Sequence, residues 1–310
     1  MPRVSVIIPT FNCAAFLTKA VESVFAQTYT DYEVIVTDDG STDGTRGLIA
    51  QWEGKVRYFY QPNRGVSSAR NLAACRASGE FLAYLDADDV CYPNRLEVQV
   101  AFLDAHPECG LVHSDVSILD ENGRVIIRSF NRETERFPPK GYCLMDLLRR
   151  GHVSMPSVME RRICFELTGG FKECLSHSED YLHYIQVVLH GYAIGYVDKP
   201  LAMCRRRSNS ATSSDLNVAE GLCRMLRLLL KSDFSRQLLD AEAQQIIRGR
   251  IDNVERSLPY LYRREGRIDL ARRKTIALIR KSPFEFDLYV ELLKSWLFPV
   301  AHTLRRFRDL

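Results

Sequence analysis

Apolar positions in the first half of the chain recur in two alternating rhythms. Val4 to Ile8 is a short apolar run stopped by Pro9, which reads as a strand; Leu17, Ala20, Val21, Val24 and Phe25 then repeat at helical spacing behind Asn12, a candidate cap. The same alternation predicts a strand over Glu33 to Thr37, a helix from Thr42 to Trp52, a strand over Val56 to Tyr60 and a helix from Val66 to Ala77. Next comes Phe81-Leu-Ala-Tyr-Leu85, the kind of run a strand buried on both faces shows, and it breaks at once into Asp86-Ala-Asp88-Asp89. A helix starting near Pro93 and a strand over Gly110 to Ile118 continue the series. Strands and helices in this order predict an α/β domain with a doubly wound, mostly parallel sheet, whose ligands collect at the carboxyl ends of its strands.

The pattern changes after Ile118. Asn122-Gly123 marks a tight hairpin turn with Val125 to Ile127 as the returning strand, and Arg128 to Gly141 reads as a surface loop. A helix over Leu144 to Arg150, a strand over Ser157 to Glu160, a turn at Gly169-Gly170, a helix over Tyr181 to His190 and a strand over Ile194 to Val197 follow. Arg205 to Ser214 reads as a mobile loop, so the expected domains are residues 1–215 and an all-helical region, 216–310. In the latter, Tyr262 to Gly266 followed by Ala271, Ile276, Leu278 and Pro283 resembles one helical pair of a tetratricopeptide array.

Composition is that of an ordinary globular protein, with 46% hydrophobic and 26% charged residues in 310. The net charge of +3 hides an asymmetry: from Leu216 onward 19 Lys/Arg face 12 Asp/Glu, so the helical region is basic and the body acidic. The nine cysteines are scattered and never spaced Cys-x-x-Cys, which points to reduced thiols rather than a disulfide framework or a zinc site. With no leader-like start and no apolar run of about 20 residues, the expected location is the cytoplasm. Leu292 to Leu310 mixes Trp296, Leu297, Phe298 and Val300 with Arg305, Arg306 and Arg308; it suits either contact with the inner face of the cytoplasmic membrane or a helix packed on the body.

Three carboxylates within four residues repel one another unless a hard cation such as Mg²⁺ or Mn²⁺ neutralises them; the alternative is a solvated acidic turn. The first strand leads into Thr10-Phe11-Asn12 without the Gly-x-Gly-x-x-Gly turn of a dinucleotide site. Asp38 and Asp39 stand at the end of the second strand, where carboxylates suit base N–H groups or ribose hydroxyls, although Asp-Asp-Gly-Ser is also a common capped turn. Arg70 opens a helix from which it could grip a diphosphate, though a lone arginine there is more often a surface residue. His113, inside an apolar strand, reads as a core histidine.

Taken together, residues 1–215 resemble the family 2 glycosyltransferases, inverting enzymes of the A-type nucleotide-diphospho-sugar transferase fold. The resemblance rests on Val4 to Asn12, Asp38-Asp-Gly-Ser-Thr-Asp43, Asn63-Arg-Gly-Val-Ser-Ser-Ala-Arg-Asn71 and Leu85-Asp-Ala-Asp-Asp89. Gly169-Gly-Phe-Lys-Glu173 and Ser178-Glu-Asp-Tyr181 complete it. It implies that Pro9, Thr10 and Asp39 hold the nucleoside with Asp38 beside them, Arg70 near the diphosphate and Asp86 facing the ribose and metal region. It further implies that Asp88 ligates Mn²⁺ or Mg²⁺ and that Asp180 is the catalytic base. His177 and Glu179 would neighbour the acceptor. Where members often carry a histidine after the last strand this chain has Arg207, which could contact diphosphate oxygens directly; a Gln-x-x-Arg-Trp segment, expected of a processive synthase, is absent from the sequence. The implied partners are a nucleotide diphosphate sugar, with UDP-linked donors the first expectation, and a saccharide or lipid-linked acceptor at the membrane surface, with no nucleic acid.

Two other readings compete. Asp86-Ala-Asp88-Asp-Val90 also spells the Asp-x-Asp-x-Val of haloacid dehalogenase-type phosphatases and phosphotransferases, where the first aspartate ends the first strand rather than a later one. A non-catalytic nucleotide-sugar-binding module would use the same crevice without needing Asp180.

Overall fold

A computed structural model describes residues 1–150, 153–207 and 214–306 and divides the chain into two compact units, Met1–Ser210 and Ala211–Leu310. Unit 1 begins β1 (Val4–Thr10), α1 (Ala14–Phe25), β2 (Tyr32–Asp38), α2 (Thr45–Ile49), β3 (Val56–Tyr60), α3 (Val66–Arg76) and β4 (Phe81–Tyr84). It continues with β5 (Val90–Cys91), α4 (Arg95–Ala105), β6 (Cys109–Leu119), β7 (Val125–Ile127), α5 (Phe130–Glu133) and α6 (Leu144–Arg150). β8 (Met159–Arg161), α7 (Arg162–Thr168), α8 (Glu179–Leu189) and β9 (Ala193–Arg205) complete it.

These strands form one nine-stranded sheet of order β3-β2-β1-β4-β8-β6-β9-β5, with β7 paired to β6. The half from β3 to β4 is parallel throughout, as the crossover helices require. Beyond β4 the sheet is mixed: β8 runs antiparallel to both β4 and β6, whereas β6 and β9 are parallel. Because β2 lies on one side of β1 and β4 on the other, the winding reverses between β1 and β4, the switch point at whose carboxyl ends sheets of this kind place their ligand crevice.

Every residue of β1 and β4 is buried, because helices cover both faces. Val4, Val6 and Ile8 pack with Val34, Val36, Leu17, Val21, Leu96 and Val100, joining α1 and α4 to one face. Ile7 and Ile35 alternate to the opposite face, where α3 lies against β1 and β2. Gly79 lets this layer close: a Cβ there would stand 2.6 Å from the Ser5 backbone N.

Several local expectations are corrected. Asn12 does not cap α1; its backbone is left-handed (φ 49°), and its Oδ1 accepts from the Thr42 N–H at 2.8 Å, so it ties down the neighbouring turn instead. The helix expected from Thr42 starts only at Thr45, because Gly44 sits at φ 87°, and it ends in a 3₁₀ turn, Ala50–Trp52. Pro156 lies in another 3₁₀ turn, Met155–Ser157, which shifts β8 toward Arg161. The strand expected over Ile194 to Val197 runs on to Arg205, and the centre of the loop expected to follow it, residues 208–213, lies outside the described residues.

Unit 2 is helical among its described residues: α9 (Asp215–Lys231), α10 (Asp233–Leu238), α11 (Ala241–Arg264), α12 (Ile268–Lys281) and α13 (Phe286–Arg306). α11 packs on α9 and α12, and α12 on α13, the stacking expected of helical pairs. Buried Glu255 gathers Arg227, Lys274 (3.1 Å) and Lys281 (3.4 Å), so part of the basic charge is spent inside the unit. None of the described helices is long and apolar enough to cross a membrane.

Candidate active site

Strand ends bring the aspartates to the crevice, but their hydrogen bonds give them different tasks. Asp38, fully buried at the end of β2, accepts from the Ser41 N–H (2.8 Å) and the Tyr58 hydroxyl (2.8 Å), one bond on each carboxylate oxygen. Asp39 accepts from Gln61 Nε2 (2.6 Å) and the Arg64 N–H (2.9 Å) on Oδ1, and from the Gly65 N–H (2.8 Å) on Oδ2. Asp39 thereby fastens the Asn63 to Gly65 turn that starts α3, and its Oδ2 retains a lone pair for a donor N–H. Thr10 ends β1, and its buried Oγ1 has no hydrogen-bond partner. Pro9 pairs in register with Thr37 beside it.

Arg70 is 4% exposed, which overturns the surface reading of that residue taken alone. Its Nη2 donates to Asp86 Oδ1 and its Nη1 to Glu179 Oε1, both at 2.8 Å, so one guanidinium joins the acid cluster after β4 to the first turn of α8. The ring of Phe171 lies 5.6 Å below it. Phe171 is held in turn by Asn71, which accepts from its N–H at 2.9 Å and donates to its carbonyl at 2.8 Å. Gly170 makes that clasp possible: at φ 69°, a Cβ there would lie 2.6 Å from Asn71 Oδ1.

On α8, Glu179 is buried against Arg70 and Asp180 is half-buried beside it. Burial, reinforced by the adjacent Glu179 charge, pushes the Asp180 carboxyl up to about 7. Such a carboxylate is poised to take a proton near neutral pH. His177, half-buried just ahead of the helix, has its Nδ1 3.2 Å from the Ser176 hydroxyl. Beneath α8 a buried polar chain anchors the helix to β8: Glu160 bonds His183 Nε2 (2.7 Å) and accepts from the Tyr84 hydroxyl, while His183 Nδ1 lies 3.2 Å from Thr168 Oγ1.

The end of β9 closes the other side of the acid cluster. Arg205 donates its backbone N–H to Asp89 Oδ1 (2.7 Å) and its Nε to the Asp88 carbonyl (3.0 Å). Asp89 is buried, and its carboxyl lies well above the usual range through desolvation and the nearby Asp88 charge. Arg207 places Nη2 2.6 Å from Asp88 Oδ2. Burial and the Asp86 charge raise the Asp88 carboxyl, against the pull of Arg207. Three arginines, 70, 205 and 207, thus face three aspartates.

Asp88 and Asp86 offer carboxylate oxygens, the donors a hard cation takes, and they stand at the crevice where a diphosphate would add more. No group of three or more His, Cys, Asp or Glu placed to hold a metal occurs among the described residues.

Asn71, Phe171, Glu160, His183 and Arg205 were not singled out from the sequence. Asn71 and Phe171 lay within recognisable motifs, so their signal was the juxtaposition of Asn71 with Gly169-Gly170-Phe171. Glu160 and His183 carried no signal short of tertiary structure.

A family model described as glycosyl transferase family 2 matches residues 5–161. An uncharacterized glycosyltransferase of Rickettsia felis is 31% identical over 219 residues, covering 69% of this chain and 35% of that protein. Chondroitin synthase of Escherichia coli is 30% identical over 193 residues, covering 60% of this chain and 26% of that protein. The chain therefore spans about a third or less of the length of these relatives. Among solved structures, S. aureus TarS 1–349 in complex with UDP-GlcNAc aligns with a TM-score of 0.61 at 21% identity, covering 92% of this chain and 93% of that one. Mannosyltransferase PcManGT from Pyrobaculum calidifontis, in complex with GDP-Man and Mn²⁺, gives 0.61 at 18% identity over 99% and 88%. At these identities the structures establish the shared A-type transferase fold. The family match runs from β1 through β8 and so takes in the whole acid cluster, although it stops short of Glu179, Asp180 and Arg207. The chain belongs to glycosyl transferase family 2.

Proposed function

We propose that unit 1 transfers one sugar from a nucleotide diphosphate sugar, UDP-linked, to an acceptor hydroxyl with inversion at the anomeric carbon. The observation that carries this reading is the Arg70 bridge, which ties the crevice that would hold the donor to the helix bearing a carboxylate that titrates near 7. Inversion by a single displacement needs a base for the acceptor hydroxyl on one face and neutralisation of the leaving diphosphate on the other. Asp180 would accept the hydroxyl proton. Glu179, bound to Arg70, would hold the first turn of α8 in place, and His177 would neighbour the acceptor.

On the donor side, Asp39 Oδ2 and Thr10 Oγ1 offer the nucleoside hydrogen-bonding capacity that the protein leaves unused. Asp38, beside them, already accepts one bond on each carboxylate oxygen, from the Ser41 N–H and the Tyr58 hydroxyl. TarS and PcManGT, solved with UDP-GlcNAc and with GDP-Man and Mn²⁺, favour a nucleotide sugar as the donor class. A Mn²⁺ or Mg²⁺ ion held by Asp88 would supply charge neutralisation for the departing diphosphate. The acceptor we propose is a saccharide or lipid-linked saccharide for envelope polysaccharide, at the inner face of the cytoplasmic membrane. The phosphatase reading loses ground because Asp86 spends Oδ1 on Arg70 and follows the fourth strand.

Asp180→Asn tests the assignment. Transfer from a panel of UDP-, dTDP- and GDP-sugars should fall by about 10²–10⁴-fold, while nucleotide binding, read as thermal stabilisation with Mn²⁺, persists. An unchanged rate removes Asp180 from its role.

A further inference from the structure

We infer that Arg207 and a divalent cation are alternative occupants of the Asp88 carboxylate, so that the cation enters together with the donor diphosphate and not before it. This rests on the proposed donor reading and goes beyond it by assigning an order of entry and the residue that sets it.

The two arginines at the end of β9 differ in how firmly they are held. Both guanidinium groups lie over the Phe16 ring, at 5.0 Å for Arg205 and 5.1 Å for Arg207. Arg205 is tied by further bonds from Nε to the Asp88 carbonyl and from Nη1 to the carbonyls of Asp120 (3.1 Å) and Glu121 (3.2 Å). Arg207 has the Asp88 pair at 2.6 Å and a weak contact from the same Nη2 to Cys13 Sγ at 3.9 Å, and its buried Nε has no hydrogen-bond partner. Arg205 is structural; among the described residues Arg207 is held by the Asp88 pair, the Cys13 contact and the Phe16 ring, and it has hydrogen-bonding capacity to spare.

With side-chain exposures of 24% for Arg207 and 16% for Asp88, water screens this pair only in part. A cation on the same carboxylate would set a double positive charge against the guanidinium across a few ångströms, a repulsion the partly dry site cannot dissipate. A diphosphate resolves the conflict, because its oxygens accept a guanidinium fork and cation together. Arg207 would then pass from Asp88 to the diphosphate as the cation takes Asp88. Linkage makes the effect reciprocal: nucleotide and cation strengthen each other's binding by one common factor.

The test measures Mn²⁺ affinity from the electron paramagnetic resonance signal of the free ion, with and without UDP. It compares the wild type with Arg207→Gln, which keeps a hydrogen-bond donor toward Asp88, and with Arg207→Met, which adds no metal ligand, as a second variant should the first not fold. The wild type should bind Mn²⁺ weakly alone and more tightly with UDP. Both variants should bind nucleotide-free Mn²⁺ about tenfold more tightly, the scale of a partly buried ion pair removed, and their UDP–Mn²⁺ coupling should shrink. If UDP and Mn²⁺ bind but neither variant gains nucleotide-free affinity, the inference is overturned and the donor reading stands. If neither UDP nor GDP binds the wild type with Mn²⁺ present, the donor reading falls and takes the inference with it.

Discussion

Arg70 shows how much can hang on one buried charge. Its guanidinium is forked between Asp86 and Glu179, so removing it leaves Glu179 buried without its counter-charge. Arg70→Met should therefore cost about 3–5 kcal/mol of stability, read from urea midpoints. Arg70→Lys, a point charge that cannot hold both carboxylates in the same geometry, should fall between the two. At Asp180 the sign runs the other way. Its carboxyl titrates near 3.8 in the unfolded chain and about 7 in the fold, so the folded state holds its proton more tightly and loses stability as pH rises through that window. Asp180→Asn should match the wild type near pH 3.5 and exceed it in stability at pH 8 by up to about 4 kcal/mol, the full linkage of that shift. Transfer by the wild type should rise with pH and reach half its plateau near pH 7; a flat profile between pH 5 and 8 would separate the base from this carboxylate.

At the scale of elements, close approach between layers makes the most definite prediction. Gly79→Ala would drive a Cβ to 2.6 Å from the Ser5 backbone N and 2.8 Å from the Val4 carbonyl carbon, neither of which can rotate away. The substitution should cost about 1–3 kcal/mol, measurable as a lowered thermal midpoint, with β1 and β4 displaced from each other. Periodicity made the parallel half of the sheet legible: Val56–Tyr60 is a strand as the pattern predicts, and the Phe81 run is a fully buried one, while the Asn122-Gly123 turn marked the antiparallel strand Val125–Ile127. It did not reveal β5, α7 or the full reach of β9, since two residues make too short a run for any rhythm, and β9 carries exposed Asp198 and Lys199 in mid-strand. The aspartates were legible because the apolar Phe81 run breaks into three carboxylates within four residues, at the strand end where ligands of this architecture collect. The engagement of Arg70 with two carboxylates was not, because its partners lie 16 and 109 positions away.

For the whole molecule, unit 2 brings an apolar surface of its own. Phe286, Tyr289, Leu293, Trp296 and Leu297 are all exposed along α13, at a spacing that lines one side of a helix, and Arg272 stacks on Trp296 at 3.9 Å. Together with the basic charge of this region, the stripe supports the proposal that it contacts an anionic membrane surface. Removal of residues 293–310 should shift the protein from co-sedimentation with anionic vesicles to the supernatant; unchanged partition would sink that proposal. The clasp at position 70 also constrains how such a catalyst diversifies. Segments 1–90 and 160–190 meet through a shared guanidinium, so a chimera that imports either segment from a relative must bring a matching ionic partner across the seam. Donor preference and acceptor preference are therefore expected to be inherited as a linked pair, and shuffled libraries should retain fold and turnover chiefly where residues 70, 86 and 179 travel together.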